Sequence, residues 1–206
     1  MKGVIFDFGN VLGNFDKLRA CRRLACSTTR RDAKAILEII STRLEKRLES
    51  GGMSETAFAN ELLHHIGSNL TVPDVMRIWG NIFSENPPIS HHVGRLIAKG
   101  VRVGVLSNTN GIHWPYICDL PVMQTLMRHH APITLSYREK ALKPEARLFS
   151  IALDRLGTPA ARTLYIDDIE QYVHAARGIG LKAAQYDCRH DKPEKLTRIM
   201  RDHDLA

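Results

Sequence analysis

The sequence predicts an α/β protein built on a parallel sheet, with an all-helical segment inserted after the first strand. Three observations predict it. Short apolar runs alternate with amphipathic stretches from Asn86-Pro87-Pro88 to the C-terminus, the pattern of strands joined by crossover helices. Residues 16 to about 84 instead carry apolar side chains at helical spacing, with no strand alternation. Finally, three of the short apolar runs stop abruptly in polar groups: Asp7, Ser107-Asn108 and Asp167-Asp168.

In order along the chain, residues 2–6 read as a buried strand that delivers Asp7 to its C-terminal end, with a sharp turn at Gly9-Asn10. The insert reads as about four helices. Leu18, Leu24, Ile36, Ile39, Leu44 and Leu48 carry the first part of its apolar face, broken at Gly51-Gly52. Ser54 fits an N-cap, and Thr71 with Asp74 fits another capped start. After the prolyl break, residues 90–99 read as a helix ending at Gly100, and 101–106 as a strand. A helix near 120–129 and a short strand at 133–135 follow, and Lys143-Pro144 opens a helix to Leu156, with Pro144 suited to its first position. Residues 163–166 form a strand ending in Asp167-Asp168, then come a helix to Gly178, a strand near 182–185 and a helix over about 193–202. The expected division is a core of 1–14 and 87–206, with 15–86 inserted.

Composition narrows the class. The 206 residues are 44% hydrophobic, enough for one sizeable core with a modest insertion. No apolar stretch approaches the ~18 residues of a membrane span. Asp7 interrupts the N-terminal apolar run too early for a signal peptide, so a cytoplasmic protein is expected. Four scattered cysteines match neither a zinc nor a redox spacing. The net charge of +7 comes from basic residues spread over helix faces without aromatic interleaving, which suits an anionic small molecule better than nucleic acid. The adjacent pairs His64-His65, His91-His92 and His129-His130 point about 100° apart on a helix and chelate poorly.

In a parallel sheet all strand C-termini share one edge, so Asp7, Ser107, Asn108, Asp167 and Asp168 can converge there, joined by Lys143. Three clustered carboxylates need compensating cations. Lys143 supplies one charge, and a divalent hard cation would supply two. Carboxylate oxygens, a backbone carbonyl and waters suit Mg²⁺. An anionic phosphoryl group then has a cationic seat, and one carboxylate can attack it.

Four blocks in this order resemble the haloacid dehalogenase-like hydrolases: Asp7-Phe8-Gly9-Asn10-Val11, Val105-Leu106-Ser107-Asn108-Thr109-Asn110, Lys143-Pro144-Glu145-Ala146-Arg147 and Tyr165-Ile166-Asp167-Asp168. The Asp-x-Gly-Asn loop and the Ser-Asn-Thr-Asn run are most similar to the small α-D-glucose-1-phosphate phosphatase type. The resemblance implies a Rossmann-like core with a helical cap and a Mg²⁺ cofactor. It implies Asp7 as nucleophile, and Mg²⁺ held by Asp7, the Gly9 carbonyl and Asp168, with Asp167 in support. Ser107, Asn108 and Lys143 would hold the phosphoryl oxygens. The expected partner is a small phosphorylated metabolite such as a sugar phosphate, with monomer and homodimer both open.

The chain departs from the resemblance at Gly9, where most such phosphatases carry a second Asp as general acid and base. Asp16 or a metal-bound water could replace it, although Asp16 also reads as a helix N-cap. Tyr172 stands where an Asn often supports the metal motif, and Glu49 reads either as a solvated helix end or as a substrate contact. Two other functions fit the same fold: a metal-independent haloacid dehalogenase, against which the Asp167-Asp168 pair argues, and a non-catalytic binding protein, which has no need of a nucleophile.

Overall fold

The computed structural model describes residues 1–205. The central strand β1 (Gly3–Phe6) leads through a tight loop into a short strand, β2 (Gly13–Phe15). Helices α1 (Lys17–Ala25), α2 (Ala33–Ile39), α3 (Glu45–Glu49), α4 (Glu55–Ile66) and α5 (Val72–Gly80) follow, with a π-helical turn at Ile40–Leu44 making α2 and α3 one continuous run. Strand β3 (Phe83–Glu85) ends the insert. The chain then runs through α6 (Pro87–Ala98), β4 (Arg102–Ser107), α7 (Trp114–Cys118), α8 (Pro121–Arg128), β5 (Ile133–Leu135), α9 (Ser136–Glu139) and α10 (Ala146–Leu156). It finishes with β6 (Thr163–Asp167), α11 (Glu170–Gly178), β7 (Lys182–Gln185) and α12 (Pro193–Asp202).

Five strands form one parallel sheet in the order β5-β4-β1-β6-β7. Strand β1 is buried on both faces, as its unbroken apolar run requires. Alternate residues of the central strands serve opposite layers. Val4, Phe6, Val105 and Ile166 pack with α6, α8 and α12, through Val93, Leu126 and Met200 among others. Ile5, Leu106 and Tyr165 pack with α10 and α11 through Leu148, Phe149 and Val173. Burying each such side chain stabilises the fold by roughly 1.5–3 kcal/mol. The inserted helices have a third apolar cluster of their own, built from Leu24, Ile36, Leu44, Phe58, Leu62 and Trp79. No helix among the described residues is long and apolar enough to cross a membrane.

Several local readings need correction. The insert is not all-helical, because β2 and β3 pair antiparallel at its base, Phe15 opposite Phe83. These strands are three residues each, too short to show an alternating pattern. Helix α6 starts at Pro87 rather than at 90, since both prolines of its first turn occupy positions whose N–H groups would be unpaired anyway. Helix α10 starts at Ala146, not at Lys143-Pro144. The Lys143 backbone is tied instead to the Asn108 side chain, which accepts from its N–H at 2.9 Å and donates to its carbonyl at 3.2 Å. The aromatic segment at 113–116 coils into α7, with Pro115 in its first turn. The expected caps form: Asp16 accepts from Arg19 N, Ser54 from Ala57 N, and Thr71 with Asp74 makes a capping box.

Candidate active site

Strands β4, β1 and β6 lie side by side and parallel, so their C-terminal tips share one edge. A cavity of about 250 Å³ opens at that edge. Its floor includes Asp7, Gly9, Ser107, Asn108, Lys143 and Asp168, and its roof comes from the insert through Phe15, Lys17, Glu45 and Glu49. Groups scattered from position 7 to position 168 are therefore in one place because the sheet order puts β1 between β4 and β6.

Lys143 is the hub. Its ammonium is buried and donates to Asp7 Oδ1 at 2.7 Å, to Asp167 Oδ2 at 2.7 Å and to the Tyr165 hydroxyl at 3.1 Å. Burial alone would push the Lys143 amine down, but Asp167 and Asp7 together hold it above its ordinary range. Asp167 lies under the cavity floor rather than in it. Its Oδ1 accepts from Ile169 N at 2.8 Å, and its Oδ2 takes both Lys143 and Tyr165. Asp7 continues the sheet ladder through its own N–H, bonded to Ile166 O at 2.8 Å. Burial pushes its carboxyl up to about 7; Lys143 opposes that rise, and Asp167 and Asp168 add to it.

The acids outnumber the cation. Asp7, Asp167 and Asp168 can each offer a carboxylate oxygen within 4.8 Å of the others. Lys143 is the only buried ammonium among them, and the partly exposed Arg189 reaches Asp168 Oδ2 only at 3.7 Å, so negative charge is in excess. Among the described residues no donor reaches Asp7 Oδ2, while Asp168 Oδ2 accepts from Asn10 Nδ2 at 2.9 Å and leaves Oδ1 free. Asn10 holds this position in the left-handed region, φ 54°, which Asn tolerates better than most residues. An all-oxygen donor set with an excess of negative charge fits Mg²⁺ in hardness. Gly9 adjoins the same opening: a Cβ there would lie 3.6 Å from Asp7 Oδ2.

No family model matches the chain. A curated relative, D-ribitol-5-phosphate phosphatase from Bacteroides thetaiotaomicron, is 25% identical over 210 residues, covering 97% of this chain and 98% of that protein. Among solved structures, a HAD-like family hydrolase from Porphyromonas gingivalis superposes with a TM-score of 0.78 at 25% identity, covering 98% of each chain. A HAD family enzyme from Bacteroides thetaiotaomicron reaches a TM-score of 0.82 at 21% identity, covering 95% of this chain and 98% of that one. The same enzyme in complex with magnesium and inorganic phosphate gives 0.77, covering 93% and 96%. These likenesses support placing the chain in the haloacid dehalogenase-like hydrolase superfamily.

In this hydrolase Ser107 lies buried at the tip of β4 and lines the cavity. Asn108 also lines it, but its amide is engaged with the Lys143 backbone, so its side chain positions the lysine. Asp16 is occupied as the α1 cap and is not part of the cavity wall. The place beside Gly9 is filled by an aromatic ring, since a Cβ there would meet Phe15 Cε1 at 2.9 Å. Tyr172 lines the cavity with its ring 4.9 Å from the Lys143 ammonium. Tyr165 and Asn10 are the residues that sequence reasoning missed. Tyr165 looked like one more core position of β6, and Asn10 like an ordinary turn residue.

His113 also lines the cavity, buried between the rings of Trp79 at 5.4 Å and Phe83 at 5.1 Å. The Oδ1 of Asn110 accepts from two backbone N–H groups, so its Nδ2 donates to His113 Nδ1 at 3.0 Å, and neutral His113 carries its proton on Nε2. Burial, with Lys17 adding to it, lowers His113 to about 3. The unfolded chain binds this proton below about pH 6.5 and the folded chain does not. The contribution is therefore fully present above that pH and is lost by about 1.4 kcal/mol per unit as pH falls from there towards 3. Thermal melts of His113→Gln should lose less stability than wild type between pH 6.5 and 4.5; equal slopes would refute the assignment.

Proposed function

We propose that the chain is a Mg²⁺-dependent phosphatase that hydrolyses a small phosphorylated metabolite through an aspartyl-phosphate on Asp7. One observation carries the reading: Asp7 lines the cavity and is held by Lys143 through one carboxylate oxygen, while no donor among the described residues reaches the other. That is the arrangement an in-line nucleophile needs, fixed in place but with a free lone pair.

The roles follow from the geometry. Asp7 Oδ2 attacks phosphorus while Lys143, locked by Asp167 and Tyr165, keeps the attacking carboxylate oriented. Lys143, the Ser107 hydroxyl and backbone N–H groups of the loop after β4 seat the phosphoryl oxygens. Asp7, Asp168 and the Gly9 carbonyl would hold Mg²⁺, with Asp167 in support through Lys143. Mg²⁺ bound there supplies a Lewis acid that neutralises the charge spreading over the phosphoryl oxygens. The insert at 15–86 acts as a cap over a core of 1–14 and 87–206, placing Phe15, Lys17, Glu45 and Glu49 against the leaving group.

The substrate class proposed is a sugar or polyol phosphate. The activity of the relative from Bacteroides thetaiotaomicron on D-ribitol 5-phosphate supports this. So does a roof whose two carboxyl groups and one amine can pair with hydroxyls. A panel of phosphate esters should show turnover with Mg²⁺ and none after chelation, and Mg²⁺ alone should raise the melting temperature by relieving the excess of negative charge. Turnover that survives chelation, or halide release from haloacids without metal, would overturn the proposal in favour of a dehalogenase.

A further inference from the structure

Position 9 offers no proton donor, and the ring of Phe15 fills the space beside it. Protonating a departing alkoxide is typically worth ~10²–10⁴ in rate. Four acids line the cavity: Asp7, Asp168, Glu45 and Glu49. Asp7 is the nucleophile of the proposed reaction, and Asp168 is turned to Asn10 and the cation site. Glu45 is 2.5 Å from Lys17 Nζ and so is ion-paired. Glu49 remains.

We propose that Glu49, from the last position of α3, is the proton donor to the leaving-group oxygen and replaces the acid that Gly9 lacks. The proposal rests on the phosphatase reading above. The Glu49 carboxyl lines the same cavity as Asp7 and has no hydrogen-bond or ion-pair partner among the described residues, so it is free to donate to a ligand. The charged and titratable groups around it are Glu45, Lys17, Lys143, Asp7 and Tyr172. Burial, then the neighbouring Glu45 carboxylate, pushes Glu49 up to about 8, so it holds a proton at neutral pH.

The proton balance closes over the cycle. In the first half, a bond forms from Asp7 to phosphorus, the bond from phosphorus to the ester oxygen breaks, and the Glu49 proton goes to that oxygen. This leaves an alcohol, an aspartyl-phosphate and a Glu49 carboxylate. In the second half, that carboxylate takes a proton from water as the water oxygen bonds to phosphorus. Asp7 is released as carboxylate, inorganic phosphate leaves, and Glu49 is protonated again.

The test compares Glu49→Gln with wild type, using the best alkyl phosphate of the ester panel and p-nitrophenyl phosphate, whose leaving group needs no proton. The expected loss of kcat is about 10²–10⁴-fold on the alkyl ester and only a few-fold on the aryl ester. Glu45→Gln, which keeps Glu49, should not produce that split. Equal losses on both esters for Glu49→Gln, or no loss on either, would overturn the assignment while leaving the phosphatase standing. Loss of the assignment together with its foundation would look different: no wild-type turnover, or turnover that survives Asp7→Asn.

Discussion

Asp7→Asn is expected to abolish turnover of every phosphate ester the enzyme accepts, with kcat falling below detection. An amide oxygen in that place is a poor nucleophile, and no other carboxylate can reach the same point, because Asp167 is tied up beneath the floor and Asp168 is turned to Asn10. The same change should raise the metal-free melting temperature. Folded Asp7 titrates near 7, above its ordinary 3.8, because it is buried. Its contribution to stability is therefore fully present below about pH 4 and is lost as pH rises through 7. Above that pH wild type carries an unfavourable buried charge that the amide lacks. Melts at pH 8 in chelator, beside turnover assays with Mg²⁺, check both halves; a variant that is dead and also less stable than wild type would contradict the charge reading of the site.

Lys143→Met should remove activity and stability together. The ammonium compensates two buried carboxylates at 2.7 Å each, and removing one partner from such a cluster costs about 3–5 kcal/mol. Adding Asp167→Asn to Lys143→Met should recover part of that stability by deleting one stranded charge, without recovering turnover. Denaturant titrations of the single and double variants measure the difference. A Lys143→Met protein as stable as wild type would mean that the acids shed their charge by protonation, and the hub would then have no electrostatic role.

The core was legible because its signals were strong and local. Val4-Ile5-Phe6 before Asp7, and Leu164-Tyr165-Ile166 before Asp167, are doubly buried strands, and such strands show as unbroken apolar runs. A charge at the tip of such a run stands out for the same reason. What was hidden depends on tertiary pairing. Strands β2 and β3 exist because Gly13–Phe15 and Phe83–Glu85 meet at the base of the insert, and neither has a pattern of its own. Helix α10 begins late because Asn108, thirty-five positions away, holds Lys143 by its backbone. Tyr165 looked apolar until its hydroxyl was seen to bridge Lys143 and Asp167. Glu49 read either as a solvated helix end or as a substrate contact, and it lines the cavity because α3 is folded over the sheet edge.

The central claim is that Asp7 itself carries the phosphoryl group. Quenching a Mg²⁺-dependent turnover with borohydride reduces an acyl phosphate to an alcohol, and mass spectrometry then locates the reduced side chain. The account predicts reduction at Asp7 alone, requiring both ester and Mg²⁺. Sustained turnover with Asp7 unreduced, or with the label on another residue, would contradict it.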